Sequence, residues 1–162
     1  MADRKLAFPN PLHHEKELHA IKILVPINGA DSGLYPSSLE ALKIACEMAH
    51  SYRHSEIALV HVSVVPRNKQ IPGHSIEGNK LLDYAREIVE KQHVVVGGCM
   101  LPARSEGIAH AILGEAKVVN AGLIVIGTSG KDKFNGHQLN PVAKSIMDHS
   151  TCEVVLVRSP LT

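Results

Sequence analysis

The stretch 123–142 combines residue types that often hold a phosphate group in proteins. An apolar run leads into Gly127 and Gly130, and after nine further residues the chain reaches Asn140 and Pro141. Glycine adopts main-chain angles that other residues avoid, so several N–H groups can converge on one anion. Asn is a favoured N-cap, and Pro suits the first position of a helix. The pattern predicts a buried strand, a glycine-hinged loop and a helix start that together hold a phosphate, and it is equally typical of an ordinary connection in which the glycines only make the turn.

Two other sets of side chains have types that suit chemistry, and each has a more common structural role. His61 interrupts an apolar run, where a hydrogen-bonded structural histidine is more common than a catalytic one, and no partner at a suitable spacing accompanies it. His13 and Glu17 are types that bind metals, but a solvated polar segment is the more common state of such a cluster. We therefore predict neither a catalytic residue nor a metal site.

The elements that must position these residues follow from hydrophobic periodicity. Apolar runs bounded by turn residues predict five strands, at 22–28, 57–65, 93–96, 123–126 and 151–158. The third strand is ended or bulged at the pair Gly97-Gly98 and continues through Met100. Helical periodicity predicts four helices, at 37–52, 76–92, 105–120 and 141–149. A mobile loop at 66–74, with two prolines and a glycine, precedes the second helix.

Local signals mark where two of the helices begin and end. Ser37 to Glu40 form a capping box for the first helix, whose apolar stripe includes Leu39. Gly122 is the expected C-terminal stop of the third helix. The alternation of strand and helix predicts an α/β fold, one open parallel sheet with helices on both faces and right-handed crossovers. A length of 162 residues suits this single domain, at 21–162, behind a leader or linker at 1–20.

The motif around the glycines resembles that of the universal stress protein family. Family members share Gly-x-x-Gly, nine residues and a small pair before Val-Ala, and the same pattern runs here from Gly127 to Ala143. The strands 23–27, 58–62 and 153–157 lie in register with the family as well, so the resemblance covers about residues 21 to 159. It implies a five-stranded Rossmann-like sheet of order 3-2-1-4-5, similar to the adenine nucleotide alpha hydrolases. The ligand crevice of such a sheet lies between strands one and four.

The resemblance also implies a ligand and the residues that contact it. The ligand is an adenine nucleotide, ATP or AMP. The positions that match the nucleotide-contact motif of the family are Pro26, Ile27, Asn28, Val62, Ile126, Gly127, Gly130, Asn140, Pro141 and Val142.

Some of these positions depart from the nucleotide-binding members of the family. The Gly followed by Ser or Thr in those members is Asn140-Pro141 here, and their nucleotide-contacting Asp at the end of strand one is Asn28. Pro141 has no N–H, so a phosphate would keep only later amides such as those of Val142 and Ala143. If two charge-assisted hydrogen bonds are lost, each worth about 1.5 to 3 kcal/mol, affinity falls by roughly two to four orders of magnitude.

Three functions remain open from the sequence. The first is a regulatory module that binds ATP or AMP weakly, and the second, held nearly equal, is an interaction module that has lost the nucleotide. The third, a nucleotide hydrolase, would use the charged loop residues Lys131, Asp132 and Lys133, but such residues are more often solvated than catalytic. The stretch 64–72 also resembles the cytoplasmic domains of amino-acid transporters, in which case the leader is a linker from a membrane helix.

Composition excludes several other classes of protein. With 17 Lys plus Arg against 16 Asp plus Glu, and 3% aromatic residues, the chain lacks the basic excess and the stacking platforms of nucleic-acid binders. Three widely spaced cysteines predict small core residues in a reducing compartment and not a disulfide framework. No apolar run is long enough to insert into a membrane, and we predict a cytoplasmic protein. Family members often pair the last strand across a dimer axis, so Val154 to Val157 is the expected homodimer interface.

Overall fold

A computed structural model describes residues 20–70, 76–128 and 140–159 of the chain. The predictions that lie outside these described residues concern the leader, the loop before the second helix and the glycine motif, at His13, Glu17, 71–74, Gly130 and 131–133.

Five parallel strands form the centre of the molecule. They are β1 (Lys22–Pro26), β4 (Glu56–Val64), β5 (Val95–Ala103), β6 (Leu123–Thr128) and β7 (Glu153–Arg158). Their order across the sheet is β5-β4-β1-β6-β7, which confirms the predicted order 3-2-1-4-5. A short hairpin of β2 (Gly29–Ala30) and β3 (Gly33–Leu34) follows β1.

Helices cover both faces of this sheet. They are α1 (Pro36–Ser51), α2 (Ile76–Lys91), α3 (Ile108–Val118) and α4 (Pro141–His149). A 3₁₀ turn at Ser105–Gly107 leads into α3, where the sequence predicted regular helix from residue 105. Buried residues of α1 and α2, such as Leu42, pack in one cluster with Leu59, whereas those of α3 and α4, such as Ile146, pack in a second cluster with Val60. Successive residues of β4 thus point to opposite faces, as expected in a sheet that is covered on both sides.

Helix α1 begins earlier than the capping box predicted. Tyr35 is the N-cap and makes no side-chain cap hydrogen bond, and Pro36 lies in the first turn. The predicted box is wrong because the fixed φ of Pro36 starts the helix, which places Ser38 inside the first turn with its hydroxyl turned towards β1. Leu39, predicted in the apolar stripe, is 43% exposed because it lies off the buried face that contains Ala45.

Strand β5 begins at Val95 and has none of the predicted interruption. It pairs residue by residue with β4 along its whole length. The predicted start at residue 93 is wrong because His93 has a φ of 60°, in the left-handed region that ends the preceding helix. The predicted bulge at Gly97-Gly98 is also wrong. A Cβ on Gly98 would lie 3.1 Å from the Leu59 Cβ, so this glycine serves close packing on the neighbouring strand.

Helix α3 ends at Val118, and the left-handed residue that terminates it is an asparagine and not the predicted glycine. Asn120 has a φ of 56°, and the Ala121 amide donates to the Ala116 carbonyl (2.8 Å), which is the pattern of a left-handed C-terminal cap. Asn adopts the left-handed conformation more readily than most non-glycine residues, because its short polar side chain can hydrogen-bond to the local main chain. Gly122 instead donates its amide to the Lys22 carbonyl (2.9 Å), at the start of β1.

The described part of the loop between β4 and α2, residues 66–70, is anchored by one side chain. Arg104 Nη1 donates to the main-chain carbonyls of Val65 (3.3 Å), Pro66 (2.5 Å) and Lys69 (2.9 Å). These hydrogen bonds connect residues 66–70 to the end of β5, an anchor that the sequence did not predict. Hydrophobic periodicity cannot predict hydrogen bonds of this kind, which a polar side chain makes to distant main-chain carbonyls.

Candidate functional site

A cleft opens at the carboxyl ends of β1, β4 and β6. Its volume is about 1140 Å³. Strand β1 lies at the centre of the sheet between β4 and β6, and the chain order runs outwards from it in both directions. Open α/β sheets bind their ligands at such a topological switch point. The cleft is therefore the candidate site.

Most of the predicted contact residues lie in the wall of this cleft. They are Pro26, Ile27, Asn28, Val62, Ile126, Gly127, Asn140 and Val142. Pro141 belongs to the first turn of α4 but is absent from the described lining of the cleft, and Gly130 lies outside the described residues. The fold thus brings the ends of three strands and the start of one helix together around a single space.

The two sides of the cleft differ in chemistry. The residues from the α3 and α4 side are apolar and are Val60, Val62, Ile108, Ile112, Ile126 and Val142. The residues from the α1 and α2 side are mostly polar or amphipathic and include Ser38, His61, Ser63, Lys80 and Tyr84, with Leu81 as an apolar member. This division follows from the alternation along β4, because His61 shares the face of Leu59 whereas Val62 shares that of Val60.

Sequence reasoning missed several members of the polar side. Ser63, Lys80 and Tyr84 belong to no motif, and Ser38, Lys80 and Tyr84 reach the cleft only because α1 and α2 pack on the sheet. The serine pair at the start of α1 was a signal in the sequence, although we assigned it to helix capping.

Gly127 is needed for close packing and not for a turn. It lies within β6, and its φ is outside the left-handed region. A Cβ built on Gly127 would overlap the main chain of Ser37, whose carbonyl carbon lies 2.6 Å from that position. Glycine therefore lets α1 approach β6, which brings the start of α1 to the cleft. The prediction that Gly127 supplies unusual main-chain angles is wrong.

The peptide group that joins Ile27 to Asn28 is held from both sides by buried side chains. His61 is 8% exposed, and its Nδ1 lies 3.0 Å from the Ile27 carbonyl oxygen. Ser38 is 5% exposed, and its Oγ accepts a hydrogen bond from the Asn28 amide (2.8 Å). Because a carbonyl only accepts, Nδ1 carries a proton and the other ring nitrogen, Nε2, is left for a second partner. This bond confirms the prediction that His61 is hydrogen-bonded.

Asn28 is oriented by its own local hydrogen bonds. Its Oδ1 accepts from the Gly29 amide (2.9 Å), and its main-chain carbonyl accepts from the Tyr35 amide (3.0 Å). The bond to Gly29 identifies the side-chain oxygen, so the Nδ2 group is the free end. Asn28 therefore offers hydrogen-bond donors to the cleft, whereas a carboxylate at this position would offer acceptors.

The start of α4 is capped by its own side chain. Asn140 Oδ1 accepts from the Val142 amide (2.8 Å), and Pro141 lies in the first turn, which confirms the predicted N-cap and helix start. Pro141 has no N–H, and the Val142 amide is already bonded. Of the two amides that the sequence left to a phosphate, only that of Ala143 is not engaged by this cap.

The cysteines lie outside the cleft and are all free thiols, as their spacing predicted. Burial raises the pKa of the Cys99 thiol to about 12, and the Glu115 carboxyl adds to this effect through a hydrogen bond and its charge. Burial also raises the pKa of Cys46. Such thiols stay protonated and unreactive at neutral pH.

Among residues 20–70, 76–128 and 140–159, no three side chains of His, Cys, Asp or Glu come together as a metal site requires. None of the helices described is both long enough and apolar enough to cross a membrane.

An open parallel sheet with a ligand cleft at its switch point defines a class of small α/β binding domains. Residues 21–158 match the model of the Universal stress protein family. The chain belongs to the universal stress protein family.

Individual relatives share most of their length with this chain. The Universal stress protein YxiE of Bacillus subtilis (strain 168) is 30% identical over 154 residues, which cover 85% of this chain and 98% of that protein. A universal stress protein family protein from Arabidopsis thaliana with AMP bound has a TM-score of 0.64 at 19% identity, over 86% of this chain and 92% of that chain. The universal stress protein from Archaeoglobus fulgidus in complex with dAMP has a TM-score of 0.63 at 20% identity, over 85% of this chain and 97% of that chain. These two structures share the fold of this chain.

Proposed function

We propose that this universal stress protein is a regulatory module that binds an adenine nucleotide, AMP or ATP, weakly in the cleft between β1 and β6. The observation that carries the proposal is the cleft at the switch point, which Asn28, Gly127 and Asn140 line. Its apolar side suits a purine base, and its polar side suits the ribose and phosphate groups. Structural relatives that hold AMP and dAMP support the same ligand class.

The weakness of binding follows from the start of α4. The Asn140 side chain occupies the Val142 amide, and Pro141 supplies no donor. The second and third phosphates of ATP would therefore meet few free hydrogen-bond donors at the start of α4. We expect ATP to bind no more tightly than AMP.

The second candidate is a dimeric interaction module without a nucleotide. The hydrogen bond from Val142 to Asn140 favours it, because a helix start that is capped internally has no need of an anion. A regulatory domain of a transporter is one form of this candidate, and its support is the resemblance of the stretch 64–72.

Under either candidate we propose a cytoplasmic homodimer. Strand β7 is an edge of the sheet, and its apolar residues Val154 to Val157 are partly exposed. Pairing this strand with a second copy would cover the exposed edge and the apolar residues on it.

We also propose that the module is not an enzyme. Hydrolysis of a nucleotide needs a positioned base or a metal, and His61 Nδ1 donates to the main-chain carbonyl of Ile27 and not to a carboxylate, which would make the ring a stronger base. A phosphate-release assay should show equal background rates in the native protein and in a Lys131→Ala, Asp132→Ala variant. A rate above background that the variant loses would establish the hydrolase instead.

The decisive experiment is calorimetry with AMP and ATP on the native protein and on an Asn140→Gly, Pro141→Ser variant. The variant restores two donors, so its ATP affinity should rise by roughly two to four orders of magnitude. Measurable binding by the native protein supports the nucleotide module. No binding by the native protein, with binding by the variant, would establish the interaction module, which has kept the fold and lost the nucleotide.

A further inference from the structure

We propose that the cleft holds the anionic group of its ligand, a phosphate or a phosphate monoester, beside Asn28 and the first turn of α1, and not at the start of α4. The inference concerns the cleft of the proposed function and adds where the anion lies and which groups bind it. It is tested with inorganic phosphate, so that its outcome does not depend on nucleotide binding.

The two helix starts that border the cleft differ in what they offer an anion. At α4, the Val142 amide donates to the Asn140 side chain. The first helical residue lacks an N–H at both starts, since it is Pro141 in α4 and Pro36 in α1, so the cap is the difference between them. An anion there would have to displace the bond between the amide and its own cap. The start of α4 is therefore the poorer position.

The start of α1 carries no such cap. Tyr35, its N-cap, makes no side-chain cap hydrogen bond, and no acidic residue lies in the first turn. Ser37 and Ser38 of this turn line the cleft, so the positive end of a 16-residue helix borders the space without a capping side chain. Asn28, whose amide donates to the Ser38 hydroxyl, adds the two hydrogens of its Nδ2 group because Gly29 occupies its oxygen.

His61 is the independent observation that points to a ligand on this side. It is more than nine-tenths buried, it lines the cleft, and Nδ1 donates to the Ile27 carbonyl. Within the described part of the chain Nε2 has no hydrogen-bond partner, although buried polar atoms are nearly always paired. A phosphate satisfies this nitrogen in either protonation state. The neutral ring accepts from a P–OH group, and the imidazolium donates to a P–O⁻ group, so that one proton is shared between them.

The formal charges around this position nearly cancel. Lys80 of α2 and Asp31 of the β2–β3 turn both line the cleft and are exposed, and Tyr35 and Tyr84 contribute neutral hydroxyls. Lys80 attracts an anion and Asp31 repels it. The specificity for phosphate therefore rests on the directed N–H and O–H donors around Asn28, and four phosphate oxygens can use them together.

The test is a titration of ¹⁵N-labelled full-length protein with inorganic phosphate, followed residue by residue. We expect saturable shifts of the Asn28 side-chain amide and of the Ser37 and Ser38 main-chain amides. Asn28→Asp exchanges the donors for a carboxylate and should weaken phosphate binding by about 10-fold or more. Asn120→Asp adds the same charge beyond the end of α3 and is the matched control.

A second variant keeps the inference testable if Asn28→Asp does not fold. Lys80→Gln should weaken phosphate binding by about 2- to 5-fold, and Lys43→Gln, on the exposed surface of α1, is its control. Sulfate carries no proton near neutral pH, so it should bind more weakly than phosphate if His61 shares a proton with the ligand.

Shifts centred on Val142 and Ala143 would overturn the inference. An Asn28→Asp variant that binds phosphate as tightly as the native protein, or no saturable shift with millimolar phosphate, would also overturn it. If AMP binds and inorganic phosphate does not compete with it, this inference is removed and the proposed function stays in place. Phosphate binding without any binding of AMP or ATP would remove the proposed function and leave this inference in place.

Discussion

Gly127 sets the distance between α1 and β6 because it has no side chain. The Ser37 main chain occupies the place of its missing Cβ. Gly127→Ala should destabilise the fold by roughly 1 to 3 kcal/mol, since the helix or the strand must shift to make room. Urea unfolding measures the change, and Gly97→Ala is the matched control, because nothing lies within 4 Å of a Cβ at that position. Equal stability of the two variants would contradict the close contact.

Asn140 should have opposite effects on stability and on ATP binding. Asn140→Ala removes the cap of α4, which should lower the free energy of unfolding by about 1 kcal/mol. It also frees the Val142 amide, so the ATP affinity should rise. Thermal unfolding and calorimetry on one preparation measure both effects. A variant that loses stability without any gain in ATP binding would show that α4 does not contact the nucleotide.

Cys99 should react slowly with alkylating reagents at neutral pH. Burial and Glu115 raise its pKa from 9.0 to about 12 in the folded protein. Because the folded-state pKa lies above the unfolded one, this thiol favours the folded state below pH 9, and that contribution is lost as the pH rises from 9 towards about 12. Modification rates by iodoacetamide, mapped to each cysteine with and without urea, measure the effect. A native rate equal to the unfolded rate would contradict it.

The hydrogen bonds between individual residues were the least predictable features from the sequence. Ser38 and Asn28 lie ten positions apart, and His61 meets Ile27 across 34 positions. Each pair depends on how an element packs on the sheet, which periodicity does not encode. The Asn140 cap was predictable because it joins residues two positions apart.

Strands and helices were predictable as elements, and several of their ends were not. All five strands and all four helices lie where apolar periodicity indicated, because the apolar residues form the core on which each element packs. The ends of β5 and α3 depend instead on residues in the left-handed region, His93 and Asn120. Sequence reasoning assigns that region to glycine first, and it therefore placed the residue that terminates α3 two positions late, at Gly122 and not at Asn120.

The end of α3 gives a prediction about the stability of a single helix end. Asn120→Ala should lower the free energy of unfolding by about 1 kcal/mol, because alanine is strained at a φ of 56°, whereas Asn120→Gly should be neutral or slightly stabilising. Urea unfolding of both variants measures the difference. Equal stabilities would mean that Asn120 is held by its side chain and not by its backbone conformation.

For the whole molecule, the alternation of elements predicted a parallel sheet, and the strand order came from the family resemblance. Spacing does not determine order, because a right-handed crossover can reach a neighbouring or a more distant strand. The order β5-β4-β1-β6-β7 is what places the cleft at β1. The two chemical sides of the cleft then follow from helices packed on opposite faces.

The edge of the sheet at β7 gives the prediction for the assembly. If two copies pair along this strand, the native protein should sediment as a dimer, and Val155→Lys should weaken the dimer by placing a charge at the interface. Val118→Lys, at a site on α3 that is 79% exposed, is the matched control. A native monomer, or a dimer that Val155→Lys leaves intact while the variant remains folded, would contradict the β7 interface.

The hydrogen bond between the Asn28 amide and Ser38 gives this molecule an internal reporter. That amide proton should exchange slowly with deuterium although Asn28 itself is exposed, because its partner is buried and exchange requires the end of β1 to separate from α1. A ligand that binds in the cleft at this end of β1 would slow the exchange further. The lifetime of one proton would then reveal occupancy of the cleft in a mixture of compounds, before the bound compound has been identified.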